Sequence, residues 1–124
     1  DRSVSRGLGD VYKRQHIICG GSSDFPVVDC NPFLGMSKAI TRICLDGNVY
    51  GAQYRINAKQ ALIMWTMNSA YFSFDEDKLG SVEVGKLADL VVIDTPLLEA
   101  SPEEIMNTKV LKTYLAGRLV YEKA

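Results

Sequence analysis

The chain alternates between helix-like and strand-like hydrophobic spacing, and the change falls near Gly80. Ile17, Ile18 and Cys19 form a short apolar run ending in Gly20-Gly21-Ser22-Ser23-Asp24, which predicts a buried strand entering a loop. The loop continues to Pro32 and carries Pro26 on the way. Phe33, Met36, Ile40 and Ile43 then recur at helical spacing, predicting a helix over 32–45 that Asp46-Gly47-Asn48 stops. Asn57 followed by Gln60 is a capping-box pattern and predicts a second helix over 58–72. Leu62, Trp65 and Phe72 fall on one of its faces, and Ile63, Met67 and Phe74 on another. A helix apolar on two faces is normally covered on two sides.

Beyond Gly80 the period shortens. Residues 81–84 alternate as a strand, and Gly85-Lys86 marks a turn. Leu90, Val91, Val92 and Ile93 read as a strand buried on both faces, broken by Thr95-Pro96. Ser101-Pro102-Glu103-Glu104 combines an N-cap, a proline at the first helical position and a glutamate at the third. That opens a short helix ending near Asn107. Residues 110–115 and 119–121 flank Ala116-Gly117-Arg118 as a hairpin.

Composition narrows the function classes. With 124 residues, 47% of them hydrophobic and a formal net charge of −1, the chain is not disordered by composition. The charge balance offers no electrostatic case for nucleic acid or an anionic membrane surface. The longest apolar run covers 61–65, far short of the roughly 20 residues that span a bilayer. A complete (β/α)8 barrel needs about 200–250 residues and does not fit. Cys19, Cys30 and Cys44 lack metal-ligand spacing, and His16 is the sole histidine. Three reduced thiols in a cytoplasmic protein are the expectation.

Residues 1–15 carry no sustained period and no signal-peptide core. Residues 10–15 resemble a translated sequencing-library adapter of the kind found on truncated metagenomic reading frames. The segment is therefore read as a non-native leader, with the native chain cut off upstream and a signal peptide there left open. A nucleic-acid arm built on Arg2, Arg6, Lys13 and Arg14 fails on the same reading.

Asp24 is the residue with a mechanistic position. It follows the strand expected over 17–19, and in α/β barrels catalytic side chains sit at the carboxyl ends of strands. Read without the family, it is first a turn or cap residue bonding nearby N–H groups. Trp65 reads as core rather than as a substrate platform. Arg42 reads as a solvated helix face or a contact for an anionic substrate group. Gly80 and Gly85 read as turns with positive φ. Asp89 reads as an acceptor for turn N–H groups, and Asn68 as a tie from its helix to a neighbouring loop.

A family resemblance selects among these readings. Gly20-Gly21-Ser22-Ser23-Asp24-Phe25-Pro26-Val27, followed by Asn31-Pro32, resembles the segment ending the eighth barrel strand in the amidohydrolase superfamily. Thr66-x-Asn68-x-Ala70 resembles a helix of that superfamily. The stretch from Gly80 through Gly85, Lys86 and Asp89 to Asp94 resembles its return to a β-sandwich. Residues 110–121 resemble its terminal hairpin. The nearest subgroup is that of N-substituted formamide deformylase-like hydrolases.

The resemblance implies an α/β plus β fold: the C-terminal end of a (β/α)8 TIM barrel followed by the C-terminal part of a composite β-sandwich. Its domains are a leader over 1–15, the barrel end over 16–79 and the sandwich part over 80–124. It implies hydrolysis of non-peptide C–N bonds in a small-molecule amide by a metal-activated water. The carboxylate matching Asp24 would contact the metal and its water; Phe25, Pro26 and Val27 are read as one substrate wall from their place directly after it. The cofactor is a divalent metal, zinc, in the full-length parent. The other ligands would lie upstream, with His16 at the opposite end of the strand, so no metal and no activity are expected of the isolated chain. A homo-oligomeric parent stays open. The alternative is a non-catalytic binding or structural module that reuses the sandwich end.

Overall fold

The computed structural model describes residues 17–44 and 46–124. The leader over 1–15, with its basic residues, and His16 lie outside the described residues, as does Leu45. Among the described residues, four helices and three strands follow in the order α1 (Pro32–Thr41), α2 (Ala58–Trp65), α3 (Met67–Phe72), β1 (Leu90–Ile93), α4 (Pro102–Met106), β2 (Val110–Leu115) and β3 (Arg118–Glu122). One turn of 3-10 helix, Ala52–Tyr54, precedes α2.

Local chemistry sets the helix starts. Asn31 caps α1 by accepting from the Phe33 N–H at 3.0 Å. Asn57 and Gln60 form the expected capping box on α2, and Ser101 and Glu104 form the one on α4.

The helix expected over 32–45 stops at Thr41, earlier than its apolar spacing suggests. Arg42 takes a left-handed conformation and donates its N–H to the Lys38 carbonyl. The chain then doubles back through an isolated bridge between Ile43 and Val49. Asp46 holds that turn by accepting from the Asn48 N–H and the Tyr50 hydroxyl. Ile43 thus matched a helical period by coincidence.

Two expected strands do not form. Residues 17–19 belong to no strand, and Ile17 and Ile18 stay about half exposed. A strand needs a partner for its backbone groups, and no strand among the described residues lies beside them. Residues 81–84 alternate correctly, but Val82 and Val84 are almost fully exposed. The chain there is folded into a turn by Lys86 N–H to the Glu83 carbonyl and Leu87 N–H to the Lys78 carbonyl. Gly85 has the positive φ expected of it.

The strands that do form make one antiparallel sheet in the order β1-β2-β3. Leu90 pairs with Tyr114, and Ile93 with Val110 across a bulge. The hairpin between β2 and β3 turns through Ala116 and Gly117, both at positive φ, the geometry of a type I′ turn. Asp89 accepts from the Ala116 N–H at 2.7 Å, so it does serve turn N–H groups, those of the hairpin. The expectation that β1 is buried on both faces is not met. Ile93 packs toward the core, whereas Val91 and Val92 are exposed, because no second layer covers them among the described residues.

The core gathers Phe33 and Met36 from α1, Ile56, Ala61 from α2 and Ile105 from α4. Residues on both sides of position 80 therefore share one apolar cluster. Asp94 and Glu104 brace the segment that carries Ile105. The Lys109 N–H and then the Thr95 hydroxyl hold the Asp94 carboxyl below its usual range. The Ser101 hydroxyl and N–H do the same for Glu104. Folding thus favours both ionised forms. Their stabilisation is complete above the unfolded pKa, about 4, and is lost as pH falls through the lower folded values. Acid titration followed by circular dichroism should show loss of structure starting near pH 4, and Asp94→Asn should flatten that loss.

Candidate functional site

The expected helix over 58–72 is broken at Thr66, and the break builds the platform under Asp24. Thr66 departs from helical geometry at φ −124° and ψ −85°. Its hydroxyl donates to the Leu62 carbonyl at 2.7 Å, a back-bond that competes with the regular ladder. The Met64 carbonyl is turned to two other donors, the Gly21 N–H and the Ser69 hydroxyl, each at 3.1 Å. Asn68, two residues past the break, donates its side-chain amide to the Cys19 carbonyl at 2.6 Å. The expected tie from Asn68 to a neighbouring loop is thus present.

Bare backbone allows this docking. A methyl group on Gly21 would overlap the Trp65 indole, and one on Gly35 would come within 2.6 Å of the same ring. Trp65 is therefore wedged between α1 and the loop, as core rather than platform. Ala70 is buried where Gly80 crosses it, and a Cβ on Gly80 would lie 2.9 Å from the Ala70 Cβ. The Thr66-x-Asn68-x-Ala70 pattern thus has three separate tasks: breaking the helix, holding a loop and admitting a close crossing.

The loop leads directly to Asp24. Ser22 Oγ accepts from the Asp24 N–H at 3.2 Å, and the Asp24 carbonyl accepts from the Val27 N–H at 2.9 Å. Asp24 sits at φ 50°, a left-handed conformation that aspartate tolerates better than most residues. The Phe25–Pro26 peptide in this turn is cis. The Asp24 side chain is exposed, and among the described residues no group donates a hydrogen bond to its carboxylate. Phe25 and Val27 flank it, 68% and 74% exposed, with Pro26 between them. All four expected site residues therefore share one projecting turn.

They do not line the large groove. That open groove, about 1260 Å³, runs between the helices and the sheet and is walled by Phe33, Leu62, Trp65, Ala70, Leu90 and Val110. Its walls are mainly apolar side chains, with Asp89, Lys109 and Lys123 also on its lining. Arg42 is partly exposed and serves the 43–50 loop, its Nε donating to the Tyr50 carbonyl at 3.0 Å. The thiols are unpaired with one another: Cys19 is half-buried, Cys30 and Cys44 exposed. Lys86, expected only as part of a turn, also has a side-chain task. Its ammonium donates to the carbonyls of Glu76 and Leu79, closing the chain after α3.

A metal can be weighed against these donors. Asp24 is a hard oxygen donor without a competing partner among the described residues, which suits a divalent cation. A zinc site usually takes at least three protein ligands. Among the described residues no three His, Cys, Asp or Glu side chains come together. The described residues fit a cation as one contributing ligand and not as a complete set. No helix among them is long and apolar enough to cross a membrane.

The chain resembles known proteins along nearly its whole length. It is 33% identical over 102 residues to the N-substituted formamide deformylase of Arthrobacter pascens, covering 82% of this chain and 19% of that protein. Its fold matches an amidohydrolase from Thermotoga maritima with a TM-score of 0.71 at 22% identity, over 95% of this chain and 26% of the other. It also matches an adenosine deaminase from Xanthomonas campestris with bound zinc, at a TM-score of 0.53 and 26% identity, over 73% of this chain and 22% of the other. The chain thus spans about a fifth to a quarter of each relative. Residues 12–121 match the Amidohydrolase family, beginning inside the segment read as a leader. With the family match over most of its length and a deformylase relative at 33% identity, the chain belongs to the amidohydrolase family.

Proposed function

We propose that these residues are the C-terminal part of a longer hydrolase that cleaves non-peptide C–N bonds of small-molecule amides, with Asp24 as its working carboxylate. The observation that carries this reading is Asp24 itself: a carboxylate without a hydrogen-bond donor among the described residues, on a turn anchored to a broken helix, inside a chain that matches the family over 12–121. In this reading 16–79 close a (β/α)8 barrel, and 80–124 complete a β-sandwich. The reading includes no nucleic-acid and no membrane partner, and it places the protein in the cytoplasm.

The carboxylate has two tasks. It accepts a proton from the water whose oxygen adds to the amide carbon. It then returns that proton to the nitrogen as the C–N bond breaks, because an amide anion is a poor leaving group. Asp24 would be one ligand of a divalent cation, zinc by the bound metal of one relative, which would supply water activation near neutral pH and polarisation of the amide carbonyl. Phe25, Pro26 and Val27 offer an apolar wall beside the carboxylate for the substituent on the amide.

With a single ligand, the 124-residue chain should retain no stoichiometric metal after dialysis and should turn over none of a panel of N-substituted formamides. Metal analysis and product assays check both. One tightly held zinc per chain, with turnover, would overturn the assignment of the remaining ligands to an upstream segment.

A further inference from the structure

We propose that Asn68 is a positioning residue for Asp24, acting through the backbone of residues 19–23; the functional half of this inference rests on Asp24 being the working carboxylate. The connection is a series of short bonds. Asn68 holds the Cys19 carbonyl at 2.6 Å. Two residues on, the Gly21 N–H is held by the Met64 carbonyl. The next residue, Ser22, accepts the Asp24 N–H, and the Asp24 carbonyl closes the turn on Val27. Between these ties the chain has no side chains to hold it, because Gly20 and Gly21 lie flat against Phe72 and Trp65. Two glycines impose little conformation of their own. The direction in which Asp24 projects therefore depends on the two ends of that stretch being fixed, and Asn68 fixes the first.

The residue type matters. A carbonyl needs a donor, and the Asn68 amide supplies one from half-buried surroundings. Aspartate has the same shape but only acceptors, so it would face the Cys19 carbonyl without a hydrogen bond. Asparagine is also a mediocre helix former, so its place in the first turn of α3 is accounted for by this tie rather than by propensity.

Amide hydrogen exchange, measured by NMR on the 124-residue chain, tests the coupling. In Asn68→Asp, exchange at the Gly21 and Val27 amides should accelerate about tenfold, the loss of roughly one hydrogen bond's worth of protection. Amides of the β2–β3 hairpin should keep their rates. Asn68→Gln, which keeps the donor, should restore protection at Val27. Unchanged exchange at Val27 in Asn68→Asp would overturn the coupling. So would equal acceleration throughout the chain, which marks a merely structural role. Undiminished turnover by Asp24→Asn in the longer hydrolase would instead refute the role of Asp24 and leave the exchange result standing, so the two failures are distinguishable.

Discussion

Asp24→Asn in the longer hydrolase is expected to lower kcat by about 10²–10⁴-fold, the usual contribution of a positioned acid–base group, while thermal unfolding stays within about 0.5 kcal/mol of the parent. Both halves of that expectation come from the same geometry. The carboxylate is exposed, and nothing among the described residues donates to it, so folding does not depend on its charge. The backbone bonds of the turn, Asp24 N–H to Ser22 and Val27 N–H to the Asp24 carbonyl, are kept by asparagine. Asparagine also accepts φ near 50° as readily as aspartate, whereas alanine would add strain of its own. Steady-state kinetics paired with a melting curve make the check. A variant that melts normally and turns over normally would remove Asp24 from the chemistry. A variant that unfolds early would show that the carboxylate belongs to the fold after all.

Local signals in the sequence were reliable where the chemistry is local. The capping boxes at Asn57 and Ser101, the positive φ at Gly80 and Gly85, and the hairpin at Ala116-Gly117 each depend on residues within a few positions. Signals that need a distant partner misled. Residues 17–19 and 81–84 have strand-like composition, but strand pairing is settled by what lies alongside, and nothing among the described residues does. Ile43 kept a helical period beyond the point where Arg42 turned the chain. The break at Thr66 was hidden because hydrophobic spacing continues through it on either side. Its trace was the Thr66-x-Asn68-x-Ala70 pattern, legible first as a family likeness and only afterwards as three physical tasks. Gly35 was a second unread trace. A glycine inside a helix costs about 1 kcal/mol against alanine, and here the close approach of Trp65 accounts for it. The geometry of the Asp24 turn was not legible, since the loop leading to it is tied by Met64 and Asn68, forty or more residues away in the chain.

The core answers a different question, whether the segments on either side of position 80 act as one folding unit in this chain. Ile105→Ala is expected to cost about 2–5 kcal/mol, the range for emptying a well-packed aliphatic site. Ile105 is 2% exposed and packs with Phe33, Met36, Ile56 and Ala61, all from the earlier segment. Its own helix, α4, has five residues and is too short to persist without docking. The capping box at Ser101 starts that helix, and the Asp94–Lys109 bond closes the chain behind it, but neither supplies apolar area. Removing three carbons from Ile105 therefore loosens the joint itself. Urea unfolding read by Trp65, the one tryptophan, reports the helical side, and far-ultraviolet circular dichroism includes the sheet. Because Ile105 sits in a core shared by both, the two midpoints should fall together. Ile105→Val, which keeps most of the volume, should cost only about 0.5–1.5 kcal/mol. A fall in the Trp65 midpoint with the sheet signal unmoved would mean that the hairpin folds independently of α1, and that the shared cluster contributes contact without cooperativity.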